Sequence, residues 1–235
     1  TLKTLAQLIH SDPVLASKIF ALANSAAYSI NTKDMSLLHI MQMLGFNIIR
    51  STIYNYCLSQ LFADRRFKRI DEAAQFVRNR SLEIAGLNYA IAKHCGMKDT
   101  SMGLLAGLFH NVGALAILNW LAQNPSVLTP KEQKALIVTG QHEFAAETIE
   151  DWRVPESMLR VILIGDKSIT SNDDEDIFVH LVAISRWFSR VTRNSSNAGD
   201  APTMSLKSLG TSEESILESR HDIMSDMVKV VQTLR

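Results

Sequence analysis

From Thr100 to Pro130 the chain carries no Asp, Glu, Lys or Arg, and the centre of this run reads LLAGLFHNVGALAILNWLA. A helix that apolar is stable only when lipid or protein covers most of its circumference. The pair His110-Asn111 and the glycines Gly107 and Gly113 lie inside the run, where lipid would leave the polar side chains without partners. The expectation is therefore a buried central helix, capped by Asp99 and wrapped by other helices, and not a membrane span. Leu104, Leu105, Leu108, Leu115 and Ile117 are then expected in the core.

The flanking segments show helical spacing and almost no strand alternation, which predicts an all-α fold. Asp12-Pro13 is a cap followed by proline at the first helical position, with Val14, Leu15, Ile19, Leu22 and Ala23 expected on one buried face. Ser36 opens a helix carrying Leu37, Leu38, Ile40, Met41 and Leu44, and Gly45 stops it. Asn47 is expected to cap the next helix, which bears Ile48, Ile49, Ile53, Tyr56, Cys57 and Leu61 and runs out at Ala63-Asp64-Arg65-Arg66. Asp71 starts a long helix ending at Cys95-Gly96. Thr129-Pro130-Lys131-Glu132 fits a capping box, and Gly140 closes the helix behind it. Further helices are expected from His142 to Trp152, from Pro155 onward and from Ile177 to Arg193, with Gly165 to Asp174 a polar loop. NSSNAGDAP, from Asn194 to Pro202, reads as a short linker, and Thr211-Ser212-Glu213-Glu214 as the cap of one last helix reaching Leu234. The expected organisation is an N-terminal helical lobe over about 1–66, a second lobe over about 71–193, a linker at 194–204, and a C-terminal helix within 205–235 that packs back on the second lobe.

With 235 residues, 46% of them hydrophobic and 20% charged, the chain can bury a core without staples. Lys+Arg 24 against Asp+Glu 24 disfavours a strongly basic nucleic-acid grip and a disordered tail protein alike. Cys57 and Cys95 stand far apart without a CxxC, so no disulfide framework or zinc ribbon is expected. That cysteine usage, and an opening Thr-Leu-Lys-Thr without a basic-then-apolar leader, point to a reducing, cytoplasmic setting. There is no GxxxxGK[ST], no GxGxxG after a strand, no GxSxG and no HExxH. His110, His142 and His180 fall on different expected helices and could converge on a metal; the plainer reading of each is a core or surface imidazole.

Two segments resemble the HDOD domain, a bacterial signalling module related to HD-type metal-dependent phosphohydrolases. The first is DPVLASKIFALANSAAYS, Asp12 to Ser29, followed by SLLHIMQMLGFNIIRS, Ser36 to Ser51. The second is GLLAGLFHNVGALAI, Gly103 to Ile117, which is similar to the helix carrying the His-Asp pair of that superfamily. HEFAAETIEDWRVPESML, His142 to Leu159, resembles the following family segment, and the likeness extends over about 1–193. It implies an HD-superfamily-like helical bundle with an additional N-terminal helical lobe. In an HD hydrolase a histidine on an early helix, a His-Asp pair and a late aspartate hold a divalent ion. Here the resemblance puts Arg80 at the early position, Asn111 beside His110 in place of the aspartate, and no aspartate in Leu181 to Phe188 where the late ligand is expected. Ile164-Gly165-Asp166 stands where some relatives carry a His-His pair, and no Gly-Tyr-Pro follows.

An amide is a poor substitute for a carboxylate, and a guanidinium is never a metal ligand. The resemblance therefore implies a non-catalytic HDOD signal-transduction module without a metal or other cofactor, whose partners are other signalling proteins or an anionic small ligand. The alternative is a metal-dependent phosphohydrolase whose ligands stand elsewhere. Arg80, His110, Asn111 and His142 are expected to converge on the degenerate site. Arg80 either serves an anion there or pairs with Glu83 or Asp166 as a structural tie, and His110 bonds either Asn111 or a backbone carbonyl. A third reading makes Ser36 to Phe62 a helix-turn-helix, but its second helix offers only Arg50 as a basic residue, so no nucleic-acid partner is expected.

Overall fold

The computed structural model describes residues 1–234 apart from 26–27, 63, 153, 155, 165–176 and 194–198. Several of its helices begin where side chains satisfy orphan backbone donors. Asp12 Oδ1 accepts from the amides of Val14 and Leu15 at 3.0 Å each, and Pro13 follows it, so α2 runs Pro13–Asn24. Ser36 Oγ accepts from His39 to start α3, Leu37–Leu44, which Gly45 ends at φ 83. A further helix, α1, Leu2–His10, precedes them and is capped by Thr1. Val14 is 54% exposed, because the first turn of α2 points it away from the face that Leu15, Ile19, Leu22 and Ala23 bury.

The chain continues through α4, Phe46–Phe62, and a 3₁₀ helix, Arg65–Ile70, into the 24-residue α5, Asp71–His94. Asn47 lies inside α4 and not at its cap, its side chain donating to Asp99 Oδ2 at 3.3 Å. Then come α6, Thr100–Phe109; α7, Ala114–Gln123; α8, Pro130–Gly140; α9, Ala145–Ile149; and α10, Glu156–Ile164. Last are α11, Ile177–Thr192; α12, Thr203–Ser208; α13, Glu213–Glu218; and α14, Arg220–Leu234. No strand occurs among the described residues, and the fold is all-α.

Buried apolar residues form two clusters. One runs from Ala6 to Ile49 and the other from Leu58 to Leu234, so the changeover falls inside α4. In the second cluster α5 is the axle, packed on α6, α11 and α14. A Cβ at Gly107 would lie 2.4 Å from Ala85 Cα, so α5 and α6 meet backbone to backbone at that point. Leu104, Leu105, Leu108, Leu115 and Ile117 are all buried. The uncharged run is 89% buried over its most apolar window, so its apolar surface is covered by protein.

That run is two helices and not one. The turn at His110–Gly113 separates α6 from α7, and a Cβ at Gly113 would meet Gln141 O at 2.0 Å, so the chain bends where the turn after α8 presses on it. His142 also lies in that turn, and the helix expected from it is the short α9. The last helix is likewise divided at Ser219 into α13, capped by Ser212, and α14, and α12 is an added turn. The expected start at Pro155, the polar loop Gly165 to Asp174 and most of the Asn194 to Pro202 linker lie outside the described residues.

Candidate functional site

Of the residues singled out by the resemblance, Arg80, His110 and Asn111 lie where α5, α6 and α11 meet, and His142 lies in the turn between α8 and α9. His110 follows the last residue of α6, 3% exposed, and its Nδ1–H donates to Gly107 O at 2.6 Å. A proton on Nδ1 leaves Nε2 as the lone-pair nitrogen of a neutral ring. Burial pushes the His110 pKa well below the usual histidine value, Arg186 lowers it further, the Gly107 carbonyl opposes them, and Arg80 and His142 add to the lowering. Three of the nearby groups are thus cationic or can become so, and they converge electrostatically on one imidazole.

Asn111 is turned the other way, into α5. Its Oδ1 accepts from Ser81 Oγ at 2.6 Å, and its Nδ2 donates to Val77 O at 3.2 Å. Both ends of the amide are engaged, so Asn111 ties the α6–α7 turn to α5, and what it could offer a cation is a neutral amide oxygen in place of a carboxylate.

Arg80 Nη1 donates to Glu83 Oε2 at 3.2 Å and to Ser189 Oγ at 2.7 Å, and Ser189 in turn donates to Glu83 Oε1 at 2.5 Å. Arg193 also pairs with Glu83. Burial lowers the Arg80 pKa, Glu83 opposes this, and Arg193 and Arg190 reinforce it; the guanidinium nonetheless stays protonated. One carboxylate therefore organises a hydroxyl and two guanidiniums from α5 and the end of α11. Asp166, the other partner considered for Arg80, lies outside the described residues.

Sequence reasoning missed three participants. Arg186 is 6% exposed on α11, inside the Leu181 to Phe188 segment where the resemblance places the late aspartate of an HD hydrolase. The available signal was a lone arginine in the apolar stretch LVAISRWF. Ser189 and Arg193 join Arg80 and Glu83 across more than a hundred residues, which no local pattern announces. His180, also on α11, is fully buried with Nδ1 3.1 Å from Ser205 Oγ of α12.

These features define an all-helical protein with an HD-type bundle and an N-terminal helical lobe. The sequence profile of the HDOD domain matches residues 1–167, and the chain belongs to that family. No curated protein matches it. Among solved structures it is similar to the "Putative metal-dependent phosphohydrolase" of Shewanella amazonensis SB2B, with TM-score 0.70 and 18% identity over 100% of this chain and 85% of that one. It is also similar to an HDOD domain protein of unknown function from Geobacter sulfurreducens, with TM-score 0.67 and 19% identity over 99% of this chain and 86% of that one. At such identities the likeness is one of fold.

The divalent metal that an HD-type fold implies does not fit the described side chains around His110. Arg80 is a cation engaged with a carboxylate, Asn111 has both amide atoms bonded to α5, and no group of three or more His, Cys, Asp or Glu gathers among the described residues.

Proposed function

We propose that the protein is a non-catalytic HDOD module of bacterial signal transduction, one that keeps the helical scaffold and works by sensing a ligand or binding another signalling protein in the cytoplasm. The observation that carries this reading is the orientation of Asn111. The residue in the aspartate position of the His-Asp pair is a neutral amide bonded to Ser81 and Val77, so a metal beside His110 would lack its anionic partner. Two arginines near His110 raise the cost of placing a cation there. Arg50, the one basic residue of the second helix in the helix-turn-helix reading, is directed at the Met102 sulfur and lies over the Phe46 ring 5.8 Å from its centroid, which disfavours nucleic acid as a partner.

The test is turnover of cyclic dinucleotides and generic phosphoesters by purified protein with Mn or Mg added. No turnover above buffer is expected. Hydrolysis that His110→Ala abolishes would overturn the reading in favour of a phosphohydrolase.

A further inference from the structure

We propose that the cleft between α5 and α14 is a binding site for an amphipathic small-molecule anion, a carboxylate carried on an aliphatic body. The cleft encloses about 510 Å³, room for a ligand of medium chain length. Its apolar lining comes from Phe76 and Leu82 on α5 and from Met227, Val228 and Val231 on α14. Its polar lining is Arg80, Glu83 and Arg193, with the amides of Asn79 and Gln232. A pocket with a hydrocarbon wall and a few convergent charged groups fixes the orientation of a ligand that has one of each.

The sign of the charge follows from the residues. Glu83 is the carboxylate in the lining, and it faces the guanidiniums of Arg80 and Arg193, with Arg190 near enough to act on Arg80. The balance is positive. Glu83 keeps Arg80 and Ser189 as partners whether or not Arg193 stays, and the Arg193 side chain is 60% exposed, so its fork can turn to a bound carboxylate without unpairing a buried charge. Phe76 is the single ring in the lining, while Leu, Val and Met supply the rest, which suits a flexible aliphatic body better than a stacked base.

The wall formed by α14 is held firmly. A Cβ at Gly86 would sit 2.7 Å from Val231 Cγ2, and Lys93 pairs with Asp226 at 2.7 Å. The α5 side of the cleft, Phe76 to Glu83, lies within the part matched by the family profile, whereas Arg193 and the α14 residues lie beyond residue 167.

This inference rests on the reading of the chain as a sensing module, and it fails separately from it. The experiment is isothermal titration calorimetry of the full chain with decanoate below its micellar range, with decanol and inorganic phosphate as the uncharged and body-free arms. Saturable one-to-one binding of decanoate is expected, with decanol and phosphate at least about tenfold weaker, the loss typical of removing one charge-assisted contact or the buried body. Arg193→Gln is expected to weaken decanoate about tenfold and leave decanol unchanged. Val228→Glu, at a half-exposed wall position, is expected to abolish decanoate binding while the helical circular dichroism persists. No saturable decanoate binding, phosphate as tight as decanoate, or full affinity in either folded variant would overturn the site. Phosphoester turnover with decanoate bound would instead remove the non-catalytic reading and keep the site.

Discussion

At His110 protonation is coupled to folding. The ring is buried among cationic groups and its pKa lies below the unfolded value of about 6.5, so the unfolded chain takes up a proton that the folded one refuses. The stabilisation is complete above that pH and is lost as the pH falls from about 6.5 toward the depressed folded value, at up to about 1.4 kcal/mol per pH unit. His110→Gln should flatten that part of the stability–pH curve, measured by urea denaturation between pH 7 and 5; an unchanged slope would place the proton uptake on another group. Leu108 and Gly107 carry two more residue-scale expectations. Leu108→Ala, at a site 2% exposed, should cost roughly 2–5 kcal/mol, as large-to-small core changes do. Gly107→Ala should cost at least about 1–3 kcal/mol although it adds only a methyl group, because the atom it meets is Ala85 backbone and cannot rotate aside. Chemical denaturation of both variants checks these values, and a Gly107→Ala protein as stable as the parent would mean the two helices separate easily.

Among the helices, starts were legible and interruptions were not. Asp12, Ser36 and the Thr129–Glu132 box act within three residues, so their chemistry is written locally. The break at His110–Gly113 depends on pressure from the Gln141 backbone, and the division at Ser219 leaves a well-formed apolar spacing on both sides; neither is visible to a reading of periodicity. The site divides in the same way. Arg80, His110 and Asn111 are singled out by family resemblance, whereas the Glu83–Ser189–Arg193 connection needs α5 and α11 already side by side. At this scale α14 offers a direct test. Asn55 Nδ2 on α4 donates to Leu234 O at 2.6 Å in a buried setting, so Asn55→Ala should leave that carbonyl without its partner. A loss of about 1–3 kcal/mol is expected, read by thermal unfolding and by faster amide exchange in the last turn of α14. Unaltered exchange there would show that α14 is held by its apolar face alone.

For the whole molecule, the two apolar clusters share α4, and α14 touches α2 as well as α5. Scanning calorimetry should therefore give one cooperative transition. Ile19→Ala in the first cluster and Leu105→Ala in the second, both fully buried, should each lower its midpoint by roughly 5–15 °C. Two resolved endotherms, each sensitive to one substitution, would show that the clusters melt independently. The continuity of α4 also has a mechanical meaning. A 17-residue helix is about 25 Å long, so it acts as a lever whose far end moves about 2 Å for a tilt of about 5° at the other. Arg50 and Asn47 grip α4 near one end through Met102 and Asp99, and Asn55 holds its middle to the C-terminus. Ile49, on the same turns, packs into the first cluster, so a small rotation of the second bundle would turn the N-terminal helices with it, carried by a rod that has no joint to absorb it.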